Sequence, residues 1–318
     1  MPDGVAVALT VLALVVGVAL LAYAADQFVL GAARVALIRN ISPLVVGVVI
    51  IGFGTSTPEL LVSSIAAVGG NPEIAVGNIV GSNIANLSLL LGVGAIIIPL
   101  GVASSTVRRE APIAVAGIAA YAVAVQGGGV STLEGVVLLV ALALAIWKVT
   151  ATSVGDPLGP ETEELADTGH HSMRAEVIRT LLGLIGTVAG AQLLLWGAVD
   201  VADRAGLGEG FVGATLVAIG TSLPELVTVV QSARRKETDL IVGNLLGSNM
   251  FNALAVGGVT GIIGAGTLND PGLTEFGVVA ATVVAGVAWL MMKTGRVVGR
   301  AEGAALVILY AALVPSLS

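Results

Sequence analysis

Gly54-Thr55-Ser56-Thr57-Pro58-Glu59-Leu60 returns as Gly220-Thr221-Ser222-Leu223-Pro224-Glu225-Leu226, and each copy sets one acid inside an apolar run. A carboxylate in a membrane segment costs about several kcal/mol unless a partner compensates it, so such a residue marks a site. Two acids in matching contexts make that argument twice. The surrounding composition agrees: 56% of residues are apolar, 11% are charged and mean hydropathy is +1.01. These values place the chain among integral membrane proteins rather than soluble domains. Gly is abundant, at 43 residues, which suits helices that approach closely in lipid. There is no Cys, which excludes disulfides and thiolate metal sites.

Apolar segments long enough to cross a bilayer as helices occur over 5–25, 43–68, 73–100, 111–126, 130–148, 177–198, 210–232, 239–265, 274–292 and 302–316. Ten spans of an all-α membrane protein are therefore predicted. The third and eighth exceed a straight crossing, which predicts tilt or a break. No Lys or Arg precedes the first run, so it reads as a span and not a cleaved signal. With the N-terminus outside, the cytoplasmic connections carry Arg34, Arg39, Arg108, Arg109, Lys148, Arg174, Arg179, Arg234, Arg235, Lys236, Lys293, Arg296 and Arg300. Only Arg204 falls on the other side. Positive residues stay on the cytoplasmic side of short loops, so both termini are expected outside.

The pairs Thr55 and Thr221, Glu59 and Glu225, Asn78 and Asn244, Ser82 and Ser248, and Asn86 and Asn252 each differ by 166 positions. Five spans per copy is an odd number, so the second copy enters the membrane inverted. This predicts a first repeat over 1–148, a cytoplasmic acidic linker over 149–174 and a second, inverted repeat over 175–318. Inverted repeats with a midplane site are a common architecture of secondary transporters. The linker, with its acids and His170-His171, reads as a solvated connection because it lacks the spacing of a calcium loop.

On a helix, Gly52, Thr55, Ser56 and Glu59 share one face, as do Ala218, Thr221, Ser222 and Glu225. Pro58 has no N–H, so the Gly54 carbonyl is expected to lose its helical partner, and Pro224 does the same to Gly220. The third span adds Asn78, Ser82 and Asn86 as a polar stripe, and the eighth adds Asn244, Ser248 and Asn252. All these groups offer oxygen, the donor that Na⁺ and Ca²⁺ prefer, and the two acids supply a formal charge that Ca²⁺ would neutralise. Taken one at a time, the Ser, Thr and Asn residues also fit interhelical hydrogen-bond packing, and Asn83 and Asn249, off the stripe, fit packing better than binding. Packing alone does not account for an ionisable group, so Glu59 and Glu225 are the firmest site residues. Asp26 is expected to pair with Arg34, and Glu110 with Arg108 or Arg109. No Walker A sequence, His-Glu-x-x-His or nucleophile elbow is present, so neither ATP-driven pumping nor intramembrane hydrolysis has residues to carry it.

Gly-Thr-Ser-x-Pro-Glu-Leu, twice, together with Gly-Asn-x-x-Gly-Ser-Asn-x-x-Asn over Gly77 to Asn86 and Gly243 to Asn252, resembles the sodium/calcium exchanger family, in particular its prokaryotic antiporters. The resemblance implies Na⁺/Ca²⁺ antiport across the cell membrane by alternating access, with no cofactor, no nucleic-acid partner and function as a monomer. It implies Glu59 and Glu225 as central cation ligands, flanked by Thr55, Ser56, Thr221 and Ser222. Backbone carbonyls would come from Gly52 and Ala218, and further ligands from Ser82, Asn86, Ser248 and Asn252. It also implies that the first and sixth spans slide against the rest. Many members carry Asp where this chain has Asn252, which removes one titratable group. The Pro-Glu motif favours Na⁺ coupling over the H⁺-coupled branch; K⁺ dependence, a cation channel and a structural membrane scaffold are the other readings.

Overall fold

The two long helices that carry the polar stripes, predicted as the third and eighth spans, form the centre of the molecule. The structure is a computed structural model that describes residues 3–39, 41, 43–152, 172–204, 218–264, 268, 272–313 and 315. Most of the acidic linker, including His170-His171, and the start of the seventh span lie outside the described residues.

The helices in chain order are α1 (Asp3–Arg39), a one-turn helix Pro43–Val46 that leads into α2 (Gly47–Thr55, π-helical over Gly47–Gly52), α3 (Thr57–Val68), α4 (Pro72–Ile97), α5 (Ser104–Arg108), α6 (Glu110–Val125) and α7 (Thr132–Thr152). They continue as α8 (Met173–Arg204), α9 (Ala218–Thr221), α10 (Leu223–Arg234), α11 (Thr238–Ile263), α12 (Gly272–Gly295) and α13 (Arg300–Leu313). Among the described residues, six helices are long and apolar enough to cross a membrane, or seven if α2 and α3 count as one bent span. The chain is a multi-pass integral membrane protein. In lipid each backbone N–H and C=O must be satisfied within the segment, and helices do this. α6 and α13, read from sequence as spans, run 16 and 14 residues.

Burial sorts the helices into two groups. In the most apolar stretch of α11, 94% of residues are buried, and in α4 78%, whereas α1, α7, α8 and α12 reach 22%, 22%, 28% and 44%. The polar stripes therefore sit inside the protein, and α1 and α8 lie on its flank. α4 and α11 do not run as regular α-helices. Each contains a π-helical segment, Asn86–Leu90 in α4 and Phe251–Val256 in α11, and neither is broken, so their excess length does not produce the break it suggested.

The predicted break at the repeated motif is present. α2 and α3 meet at an angle of 47° across Ser56, whose φ of −82° and ψ of 12° leave the helical region. Pro58 occupies the first turn of α3, where its missing N–H is harmless. Ser222 repeats the conformation, with φ −88° and ψ 8°, ahead of α10. One detail differs from expectation. The Gly54 carbonyl is not free, because Thr57 Oγ1 donates to it at 2.8 Å. Leu223 holds the equivalent position in the second motif and has no hydroxyl to do the same.

α1 and α8 are also longer than their apolar runs, at 37 and 32 residues against the predicted 5–25 and 177–198. Hydropathy sees only the apolar part. The helices continue through polar ends whose side chains find partners across the pair: Arg34 with Glu176 at 3.4 Å, Arg179 with Gln27 at 2.6 Å and Thr10 with Asp200 at 2.5 Å. Asp26 consequently does not pair with Arg34. It accepts from Arg235 at 2.6 Å, and Glu176 takes Arg34 instead. Glu110 lies 3.8 Å from Arg109, as expected.

Two connections clip distant parts of the chain together. Leu100–Gly101 pairs antiparallel with Val297–Val298, and Leu268 N donates to Gly128 O at 2.7 Å.

Candidate functional site: a buried cluster of oxygen donors

The breaks at Ser56 and Ser222 bring the ends of four helices to one place. Where α2 meets α11 the backbones nearly touch: a Cβ on Gly52 would lie 2.7 Å from Ser248 N. That approach lets Ser248 Oγ donate to the Gly52 carbonyl at 3.0 Å. Phe53 and Phe251 pack beside it with ring centroids 4.9 Å apart.

The hydrogen bonds cross between the two motifs in matched pairs. Ser56 Oγ donates to Glu225 Oε1 at 2.9 Å, and Ser222 Oγ donates to Glu59 Oε1 at 3.2 Å. Thr55 Oγ1 lies 3.3 Å from Asn244 Oδ1, and Thr221 Oγ1 lies 3.3 Å from Asn78 Oδ1. Each interaction and its counterpart are related by the 166-residue offset. Ser82 Oγ is 3.4 Å from Ser222 Oγ, and Ser248 Oγ is 3.5 Å from Glu225 Oε1. Thr55, Ser56, Glu59, Ser82, Thr221, Ser222, Glu225 and Ser248 are all buried, and the two glutamates have no exposed surface.

Asn86 and Asn252 are equally buried but stand apart from this network. Each begins or adjoins the start of a π-helical segment, and neither amide oxygen nor amide nitrogen has a hydrogen-bond partner. The side chain of Ala218 lies outside the described residues, although its backbone opens α9. Asn83 and Asn249 behave as the sequence suggests: Asn249 Nδ2 donates to the Asn83 carbonyl at 3.0 Å, which joins α4 to α11.

Asn78 and Asn244 do more than stripe membership indicates. Asn78 Nδ2 donates to Ser63 Oγ at 2.9 Å and to the Glu59 carbonyl at 3.3 Å. Asn244 Nδ2 donates to Thr228 Oγ1 at 2.9 Å. With the NH₂ groups held by α3 and α10, the amide oxygens are left to face the threonines of the opposite motif. The sequence signal is their place one turn before Ser82 and Ser248.

The chemistry of this cluster is one-sided. Hydroxyl, amide and carboxylate oxygens crowd together, and their few protons are shared among more lone pairs than they can serve. Glu59 Oε2 and Glu225 Oε2 accept no hydrogen bond. Among the described residues, no Lys, Arg or His forms an ion pair with either glutamate. Two buried carboxyls without a protein cation require a bound cation or a proton to balance them. A hard cation fits the donor set, which is all oxygen, and it also fits the orphaned carboxylate oxygens and the amide oxygens of Asn86 and Asn252.

The sodium/calcium exchanger protein family matches this chain twice, over residues 9–151 and 176–315. CaxA of Alkalimonas amylolytica is 36% identical over 301 residues, covering 93% of this chain and 94% of its own. The sodium/calcium exchanger MaX1 of Methanosarcina acetivorans is 26% identical over 337 aligned positions, covering 95% of this chain and 96% of its own. A solved structure of the sodium-calcium exchanger NCX_Mj, soaked with 10 mM Na⁺ and zero Ca²⁺, is 30% identical with a TM-score of 0.87, over 98% of this chain and 100% of that one. With both halves of the chain matched and a whole-length structural counterpart, the protein belongs to the sodium/calcium exchanger family.

Proposed function

We propose that this protein is a secondary antiporter that exchanges Na⁺ for Ca²⁺ across the cytoplasmic membrane by alternating access, and that it normally extrudes Ca²⁺. Glu59 and Glu225 act as ligands shared by both ions. The carrying observation is the pair of fully buried carboxyls that no described cation of the protein neutralises, set in a cluster of hydroxyl and amide oxygens. Its relatives MaX1 and NCX_Mj are named as exchangers of these ions.

In this reading Thr55, Ser56, Thr221, Ser222, Ser82, Ser248, Asn86 and Asn252, with the carbonyls of Gly52 and Ala218, complete the ligand set. One Ca²⁺ matches the charge of the two acids, and Na⁺ ions reach the same balance by occupying overlapping oxygens. Competition for shared ligands prevents leak, because only a filled site is stable enough to be enclosed. The two halves, 1–148 and 175–318, form inverted repeats around the acidic linker 149–174, with both termini outside. The double family match and the mutual hydrogen bonds between motifs support that arrangement. We assign no cofactor, nucleic-acid partner or enzymatic activity, and we take the monomer as the transporting unit.

Purified protein in proteoliposomes loaded with Na⁺ should take up Ca²⁺ when diluted into Na⁺-free medium. Glu59→Gln and Glu225→Gln should each reduce that uptake by at least about tenfold, since each removes a buried charge worth more than about 1.4 kcal/mol to a bound cation. Uptake driven by a pH gradient and indifferent to Na⁺ would overturn Na⁺ coupling, and a requirement for K⁺ would add a third ion. Flux at channel rates without a counter-ion would overturn antiport itself.

A further inference from the structure

α1 and α8 form a unit of their own. They run antiparallel in close contact, with glycines at the crossing points: a Cβ on Gly183 would lie 2.5 Å from Phe28 N, and one on Gly17 would lie 2.9 Å from Leu194 N. Both ends of the pair are fastened, by Arg34 to Glu176 at one end and by Thr10 to Asp200 at the other. These fastenings are counterparts, since Thr10 and Glu176, and Arg34 and Asp200, are each 166 positions apart. Within the pair, then, the two ends are alike in these fastenings, and the basic end adds Arg179 to Gln27 at 2.6 Å, whose counterparts Ala13 and Leu193 offer no such bond.

Against the rest of the protein they are not. Midway along α8, Leu184 and Leu195 rest on Gly54 and Gly220, an apolar contact without direction that permits sliding. At the basic end the contact is directional. Arg235, just past α10, donates through Nε at 3.0 Å and Nη2 at 2.6 Å to Asp26 Oδ1 of α1. Gln231 Nε2 of α10 donates to the Ala22 carbonyl at 3.2 Å. Asp26 Oδ2 accepts from Gln27, and Gln27 Oε1 accepts from Arg179 of α8 at 2.6 Å, so the bond to α10 is shared by both helices of the pair. The counterpart positions at the other end are Gln192 for Asp26, Gly69 for Arg235 and Ile65 for Gln231. Gly69 and Ile65 have no side-chain donor, so no such bond can form there.

We propose that Asp26 and Arg235 form a one-sided latch, an ion pair that holds the α1–α8 unit against α10 while the basic end of the molecule is closed and that parts once in each cycle. The inference rests on the alternating-access reading above. In the orientation proposed there the basic end is cytoplasmic, so the latch favours the conformation closed to the cytoplasm, and its counterpart positions on the outer side, Gln192 and Gly69, cannot form an ion pair. Asp26 and Arg235 side chains are 32% and 25% exposed, so the pair is partly screened by water. Its loss should shift the equilibrium by about two- to five-fold and leave the fold intact.

The chain has no Cys, so introduced thiols are the only ones. In a variant carrying Asp26→Cys and Arg235→Cys, a short bis-methanethiosulfonate should join the two positions and stop Ca²⁺ flux, and dithiothreitol should restore it. The same reagent on either single variant should leave flux unchanged. No cross-link, or full flux through cross-linked protein, would overturn the latch. A second measurement does not depend on transport. Ala25 is fully buried on α1 beside Asp26. In an Ala25→Cys background, Asp26→Asn should raise labelling by a maleimide about two- to five-fold, and the exchanged pair Asp26→Arg with Arg235→Asp should bring it back. Unchanged labelling in Asp26→Asn, or an exchange that fails to reverse it, overturns the latch. Absence of Ca²⁺ flux in the unaltered chain counts against the exchange reading alone, because the labelling still reports the ion pair.

Discussion

Asn78 shows how a residue that does not carry charge can set up one that does. Its NH₂ is committed to Ser63 and to the Glu59 backbone, which turns its oxygen toward Thr221. Replacing it with Ala leaves Ser63 Oγ and a carbonyl beside a buried acid with one partner fewer. The expected loss is about 1–3 kcal/mol of stability, read as a lower melting temperature in detergent, and Asn244→Ala should behave alike. A melting temperature unchanged in both would show that these amides are spectators. Sequence is most informative at this scale. Glu59, Glu225 and the flanking hydroxyls are legible because helix packing in lipid has no use for an acid in an apolar run, still less for one repeated at a fixed offset. The orienting role of Asn78 is not legible, since its partners lie on a different helix and stripe position does not say which amide atom faces which neighbour.

Elements are less legible than residues. The break at Ser56 follows from Pro58, whereas the π-helical segments of the two long helices are not written in their length, which suggested only tilt or a break. The true extents of α1 and α8 do not, because hydropathy cannot distinguish a helix that ends from one that continues with its polar groups paired. Proximity along the chain pairs Asp26 with Arg34, eight residues on in the same helix, while its actual partner Arg235 lies 209 positions away. Local pattern has no access to such a pairing. Close contact between elements gives a further prediction. A methyl group at position 52 would come within 2.7 Å of the α11 backbone, so Gly52→Ala should force α2 and α11 apart. Overpacking of this kind costs about 1–3 kcal/mol. Because the shift falls between the Gly52 carbonyl and Ser248, flux should fall even in protein that remains folded, as size-exclusion chromatography would show. Normal flux with Gly52→Ala would mean that the approach of these helices is not needed.

For the whole molecule, ions and stability are linked. An ion that binds the folded state and not the unfolded one stabilises it by RT ln(1 + [L]/Kd), about 2.7 kcal/mol at a hundred times Kd. Ca²⁺ should therefore raise the melting temperature of the detergent-solubilised protein, and Na⁺ should reduce the rise by competition. Glu59→Gln and Glu225→Gln should abolish it. A Ca²⁺ effect that survives both substitutions would locate the bound ion elsewhere, for example among the acids of the linker.

The flanking position of α1 and α8 has one more consequence. At about 1.5 Å per residue, a helix of 37 residues is roughly 55 Å long, well beyond the roughly 30 Å hydrocarbon layer. α4 and α11, which hold the polar stripes, are largely shielded from lipid by the rest of the protein, whereas α1 and α8 present most of their apolar surface to it. Acyl chains thus press on α1 and α8, as they do on the equally exposed α7, and barely reach the oxygen cluster. In the exchange cycle proposed above, membrane thickness should therefore act on the rate of turnover and leave the choice of ion untouched.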